Sequence, residues 1–241
     1  MMTDSWYSFK CLSTQAIPAL AQGEIHIWLI NHREAKDKIV ELQAILSLEE
    51  KQRLSAFAKK TSQDVFVLSH GFLRLLSGAY LRLKPPELCF CYDPRGKPYL
   101  SDHPELHFSL SHCRAYTILA FGRGRCLGID IEEIRSRPNL NLIWNYMTGS
   151  QWEWQGMVDN NKLTDFYQSW TRQEAFVKAC GIGLAELEPS LALRIACKHL
   201  RRLHYAGQIW TLRNIKIDLT HAAAICFKGA SGAIRFLQIG L

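Results

Sequence analysis

Apolar positions recur along this chain in two rhythms, one with a period of two and one close to that of a helix. Residues 24–31, Glu-Ile-His-Ile-Trp-Leu-Ile-Asn, predict a strand. Ser47-Leu48-Glu49-Glu50 places a glutamate three residues after a serine, a helix-starting pattern, and the helix is predicted to run to about Lys60. A more apolar helical rhythm covers 62–83, with Phe66, Leu73, Leu76 and Tyr80 on its buried side, and Lys84-Pro85-Pro86 stops it. Short strands are predicted over 87–92, 106–111, 115–121 and 126–132, with a turn at Asp93-Pro94-Arg95-Gly96. Helical periodicity returns over 140–157 and over 162–180, where Gly181 and Gly183 end it. Strands at 190–196, 208–217, 222–228 and 233–239 complete the chain.

Each half thus reads as helices followed by a β meander, without a residue-level repeat. The fold class expected is α+β, with two similar subdomains, each a small antiparallel sheet packed with helices. A boundary near Gly122–Arg125 divides the chain into 1–123 and 124–241.

The pattern changes meaning at Gly128-Ile129-Asp130-Ile131-Glu132. On a strand, residues i and i+2 share a face, so Asp130 and Glu132 project together while Ile129 and Ile131 pack behind. Two adjacent anions repel unless a cation or proton lies between them. A hard divalent ion held by oxygens suits them and points to phosphate chemistry. A strand with one wet face shows the same alternation, so a plain surface strand stands as the other reading.

In the helix 162–180, Trp170-Thr-Arg-Gln-Glu174-Ala-Phe-Val-Lys178 puts Glu174 and Lys178 four apart on one face. They are either a surface ion pair or, since Trp170 shares their stripe, a partly buried acid and base. In the second case Glu174 serves as a further metal ligand or a general base, and Lys178 steadies a phosphate. Phe108-Ser109-Leu110-Ser111-His112 raises the question of a Ser-His hydrolase. Neighbours on a strand face opposite ways and the chain has no G-x-S-x-G elbow, so that reading is rejected. His112 is either structural or a donor to phosphate. In Arg95-Gly96-Lys97-Pro98, Lys97 sits between a turn glycine and a proline, placed either to meet an anion or as an ordinary surface turn.

Composition narrows the field. The chain has 241 residues, 48% of them apolar, enough for one large domain or two smaller ones. Its formal net charge of +7 favours anionic partners, but the basic residues are scattered, so a nucleic-acid arm is not expected. The eight cysteines include no C-x-x-C pair, which argues against a zinc ribbon and for reduced thiols in a reducing compartment. No signal pattern opens the sequence, and no apolar run reaches the roughly 20 residues a membrane span needs. A cytoplasmic protein without membrane or nucleic-acid partners is expected.

Taken in order, G-K-P, F-S-x-S-H, G-I-D-I-E and W-T-x-x-E-A-F-x-K, spread over 96–178, resemble the surfactin-type (Sfp-like) 4′-phosphopantetheinyl transferases. The resemblance implies two pseudo-symmetric subdomains with the active site in the cleft between them. It implies transfer of the phosphopantetheine arm of coenzyme A to a serine of an acyl or peptidyl carrier protein, with Mg²⁺ (or Mn²⁺). Such an enzyme supports fatty acid, polyketide or nonribosomal peptide synthesis, and 3′,5′-ADP is the by-product. By the same resemblance, Asp130, Glu132 and Glu174 match the metal ligands. Glu174 also matches the base for the carrier serine, and Lys178 the lysine that assists the leaving phosphate. Arg53, Lys97, Ser111, His112 and Lys178 match coenzyme A contacts. The N-terminal subdomain becomes the coenzyme A side and the C-terminal one the metal and carrier side, with residues from 181 to about 210 meeting the carrier. A monomer is expected.

Two departures stand out. Gln173 occupies a position where the family often has a basic residue. Asp64-Val65-Phe66 occupies the place of an arginine that meets the nucleotide end of coenzyme A, so either Arg53, Lys59 or Lys60 supplies that charge or the nucleotide end is held less tightly. Two other classes compete: a Mg²⁺-dependent pyrophosphohydrolase using the same carboxylates, and a basic nucleic-acid-binding protein.

Overall fold

The computed structural model describes residues 7–9, 17–137, 140–148, 160–197 and 199–239. The chain begins with β1 (Tyr7–Phe9) and β2 (Ile25–Asn31). Three helices follow, α1 (Ile39–Ala44), α2 (Leu48–Ser55) and α3 (Lys60–Leu81). The expected capping box starts α2: Ser47 Oγ accepts from the Glu50 amide at 3.2 Å, and the Ser47 amide donates to Glu50 Oε2 at 2.9 Å. The helix expected to reach Lys60 ends at Ser55, and α3 starts separately. Arg82 ends α3 in the left-handed conformation, φ 59°, with the Leu83 amide returning to the Gly78 carbonyl.

The small hairpin β3 (Phe90–Tyr92) and β4 (Pro98–Leu100) precedes β5 (Leu106–His112), β6 (Tyr116–Arg123) and β7 (Leu127–Glu133). Then come α4 (Leu140–Thr148), α5 (Asn160–Cys180) and α6 (Pro189–Ala196). The strands β8 (Arg202–Tyr205), β9 (Gln208–Ile215), β10 (His221–Lys228) and β11 (Ile234–Ile239) close the chain. The strand expected at 190–196 is helix α6. Pro189 sits in its first turn, and Ala192 and Ile195, three apart, pack into the core beside α5. Of the helix expected over 140–157, residues 149–157 lie outside the described residues.

Among the described residues, two larger sheets lie between helices. One has the order β1-β11-β2-β6-β5 and the other β7-β10-β9-β8. Both are antiparallel except at β11, which runs parallel to β1 and β2. The last strand therefore completes the sheet built mostly from the first half of the chain. Side-chain alternation gives the layers their order. Trp28 and Ile30 of β2 join the core under α3, whereas Ile25 and Ile27 join a second core with Ile129, Ile131 and Ile225 of the other sheet. A third core, containing Phe176, Ala192, Leu212 and Ala224, fills the space beneath α5 and α6. Both faces of β2 are thus covered, which is why its residues from Ile25 to Ile30 are all buried, His26 included.

Candidate active site

The acidic motif behaves as its alternation predicts. Ile129 and Ile131 enter the core between the sheets, leaving Gly128, Asp130 and Glu132 on the face beneath α5. Gly128 allows the helix to come so near: a Cβ there would overlap the Ala175 carbonyl oxygen and the Ala179 amide. This contact sets Glu174 and Lys178, one helical turn apart, over the strand.

The serines of Phe108-Ser109-Leu110-Ser111-His112 join the two sheets. β5 and β7 are edge strands of different sheets, so no backbone ladder links them. Ser109 Oγ instead accepts from the Ile129 amide at 3.1 Å, and Ser111 Oγ accepts from the Ile131 amide at 3.4 Å. Ser111 then donates to Asp130 Oδ1 at 2.8 Å. Strand-edge donors that water cannot reach are satisfied by side chains, and the same serine orients a carboxylate.

Asp130 is 4% exposed. Its Oδ1 also takes the Lys178 ammonium at 2.6 Å, while Oδ2 is buried without a hydrogen-bond partner. Glu132 Oε2 lies 3.3 Å from Arg137 Nη2. Burial, followed by the charge of Asp130, raises the pKa of Glu132. Glu174 shifts upward for the same reasons, the charge of Glu132 adding to it and Lys178 opposing it. The three carboxylates feel one another's charge, yet among the described residues no group of three or more histidine, cysteine, aspartate or glutamate side chains is arranged to hold a metal ion. Asp130 and Glu132 face cationic side chains instead. The donor chemistry still suits a hard divalent cation: all-oxygen ligands, one orphaned buried carboxylate oxygen and two carboxyls made less acidic by burial and then by the charge of Asp130.

The other expected residues divide. His112, at the end of β5, borders a cavity with Phe66 and Glu132. His112 is exposed at its strand end, and partial desolvation of its ring, then His32, His70 and Lys178, lower its pKa. Arg53 lies over the rings of Phe66 and Tyr92, at 5.4 and 5.1 Å. Lys97 borders the cavity beside Glu174 and Lys178. Its ammonium donates to the carbonyls of Lys178 at 2.5 Å and Leu127 at 3.3 Å, clamping the β3–β4 hairpin to α5 and β7, and burial lowers its pKa. The hairpin tip is held further by Arg95 Nη2 on Glu186 Oε1 at 2.7 Å. Gln173, where a basic residue was expected, is fully buried and donates to the Ala192 carbonyl at 3.0 Å. A cation there would be desolvated against α6, which accounts for the departure.

Two cavities flank the carboxylates. One, about 510 Å³, is bordered by Glu174 and Lys178 together with Phe108, Leu110, Val177 and Ile182. The other, about 410 Å³, is bordered by Glu132 and His112 together with guanidinium groups.

Residues 126–225 match the family model of the 4′-phosphopantetheinyl transferase superfamily. The 4′-phosphopantetheinyl transferase HetI of a Nostoc species is 30% identical over 215 residues, covering 87% of this chain and 90% of that protein. The chain belongs to the 4′-phosphopantetheinyl transferase superfamily. The 4′-phosphopantetheinyl transferase Sfp of Bacillus subtilis is 27% identical, over 76% of this chain and 75% of that protein. The L-aminoadipate-semialdehyde dehydrogenase-phosphopantetheinyl transferase of Xenopus laevis is 25% identical, over 79% of this chain and 69% of that protein. Membership in this superfamily makes the chain a transferase of the Sfp-like type. No helix among the described residues is long and apolar enough to cross a membrane, and the described cysteines are free thiols.

Proposed function

We propose that this phosphopantetheinyl transferase moves the arm of coenzyme A onto a serine of an acyl or peptidyl carrier protein with the help of Mg²⁺. The observation that carries the reading is the convergence of β7 and α5. Asp130, Glu132, Glu174 and Lys178 form one charged cluster between two cavities of mixed lining, one bordered by Arg95, Lys97, Leu110 and Ile182 and the other by Arg114, Arg135, Val65 and Phe66. Coenzyme A likewise has a charged diphosphate centre, with an extended pantetheine arm on one side and a phosphorylated nucleotide on the other.

Asp130, Glu132 and Glu174 would hold the metal, which when bound neutralises charge on the diphosphate oxygens and leaves coordination positions for phosphate and water. Glu174 borders the cavity beside Lys178 and would take the proton from the hydroxyl of a carrier serine presented there. The serine Oγ–phosphorus bond forms as the phosphorus–bridging oxygen bond breaks. The electron pair leaves on 3′,5′-ADP, and Lys178 donates hydrogen bonds to that leaving phosphate. Ser111 keeps the Asp130 carboxylate aimed, and His112, at the end of β5, would donate an N–H to a phosphate oxygen. The division at 123/124 into coenzyme A and carrier sides remains our proposal, with β11 crossing back to the first sheet.

Apo carrier protein incubated with the enzyme, coenzyme A and Mg²⁺ should gain the mass of one phosphopantetheine arm. Unmodified acyl and peptidyl carriers alike would defeat the reading, and release of phosphopantetheine without a carrier would favour hydrolysis. Chelation should abolish transfer, and Mg²⁺ or Mn²⁺ should restore it.

A further inference from the structure

A cavity of about 860 Å³ lies at the opposite end of α3 from Val65 and Phe66, away from the carboxylates. Its size is within the range of small-molecule pockets, about 300–1,000 Å³. Ile17, Leu20, Leu83 and Pro85 border it together with three cations, Arg82, Lys84 and Arg123. Among the described residues no acidic side chain borders it, whereas Glu174 and Glu186 border one of the cavities beside the charged cluster and Glu132 and Glu133 the other. Its charge is therefore of one sign, which concentrates anions. Neighbouring acids do little to cancel it. Lys84 Nζ is 3.8 Å from Glu87 and Arg123 Nη1 is 3.9 Å from Glu105, long pairs open to solvent that bind weakly. Arg82 is exposed, and its guanidinium makes no hydrogen bond or ion pair among the described residues.

The frame that carries these cations is fixed. The Leu83 amide returns to the Gly78 carbonyl at 2.9 Å, and a Cβ on Gly78 would meet the Leu83 carbonyl oxygen, so the chain wraps closely over the last turn of α3. The Pro85 carbonyl accepts from Arg74 Nη1 at 2.9 Å, and the Arg123 carbonyl from the Gly23 amide at 3.3 Å. Arg82 itself holds φ 59° and ψ 37°, a left-handed conformation that a helix end normally gives to glycine. A side chain kept there against the backbone's preference points to work done by the side chain. Inorganic phosphate would answer the cations and leave the apolar wall uncovered, and a neutral lipid would do the reverse. We infer that this cavity binds an amphiphilic carboxylate of the fatty-acid class, with its chain on Leu20 and Leu83 and its carboxylate on the guanidinium forks of Arg82 and Arg123. This site is separate from the transfer centre and does not depend on the transferase reading.

Calorimetry on the full chain with decanoate, decanol and inorganic phosphate tests the site. Wild type should bind decanoate. Decanol and phosphate, each with one half of the chemistry, should bind at least about tenfold more weakly, the scale of one charge-assisted contact or of a few buried methylenes. Arg82→Gly and Arg123→Ala should each weaken decanoate binding about tenfold, and Arg82→Lys should keep part of it. Arg82→Gly gives the sharpest contrast. Glycine takes the left-handed conformation freely, so the melting temperature should hold while binding falls, and an arginine present only for structure would leave binding unmoved. If Arg123→Ala fails to fold, Arg82→Gly decides alone. A wild type that does not bind decanoate, decanol or phosphate bound as tightly as decanoate, or full affinity in the folded variants would overturn the inference. So would sedimentation with phosphatidylglycerol vesicles that is lost in the variants and unaccompanied by decanoate binding, since the cations would then serve a membrane surface.

Discussion

Lys178 Nζ stands 2.6 Å from Asp130 Oδ1, joining α5 to β7 at the centre of the charged cluster. The aspartate is nearly buried, whereas the lysine side chain retains 29% of its exposure. A buried carboxylate beside two more acids is costly in an apoprotein, and the ammonium offsets part of that cost.

Asp130→Asn keeps the shape and removes the charge. Transfer should fall at least about a hundredfold, the scale on which a lost metal ligand or transition-state contact acts. The fold should survive, since the amide can still accept from Ser111 and Lys178. Steady-state transfer and a thermal melt report the two effects separately. A variant that unfolds instead would make Asp130 a structural residue.

Ser109→Ala should act on the seam between the sheets. The Ile129 amide would lose its acceptor while remaining buried, at a cost of about 1–3 kcal/mol. Urea titration gives the loss, and hydrogen exchange at Ile129 should rise more than at the β2–β6 pairs. Uniform exchange would mean that Ser109 is not the latch.

Gly128→Ala tests the close approach of α5. The added methyl group meets backbone atoms of Ala175 and Ala179, which have no rotamer by which to retreat. Overpacking of about 1–3 kcal/mol follows, and α5 must lift from β7. Glu174 and Lys178 move with it, so transfer should fall by more than the stability loss explains. Wild-type rates at full folding would refute this.

His26 predicts acid sensitivity away from the site. Its ring is fully buried, with Nδ1 2.8 Å from Tyr80 Oη, and burial pushes its pKa down to about 4 from 6.5. Between those values the unfolded chain binds the proton and the folded one does not. Stability is therefore complete above pH 6.5 and declines as pH falls toward 4, by up to about 3 kcal/mol. His26→Gln should flatten the decline in melts taken across that range, and an unaltered slope would assign the loss to other groups.

Local rules made several parts of this protein legible. A spacing of two on a strand put Asp130 and Glu132 on one face, and a spacing of four on a helix did the same for Glu174 and Lys178. The Ser47 capping box and the glycine stop at Gly181, φ 70°, are likewise contained within a few residues. These features depend on backbone geometry that repeats with the chain itself. Short apolar stretches were less legible. Residues 190–196 carry too few positions to separate the two periods, and packing against α5 made them helix.

The order of the motifs carried the family, and local spacing carried the pairing of the acids. The folded chain alone decided that β11 would return to the first sheet, that Ser109 and Ser111 would stitch two sheet edges, and that Lys97 would spend its charge on carbonyls. It also decided that Arg114, Arg135 and Arg137, separated along the chain, would border one cavity. Such relationships join residues tens of positions apart, and periodicity reports which face a side chain occupies without naming what lies across from it.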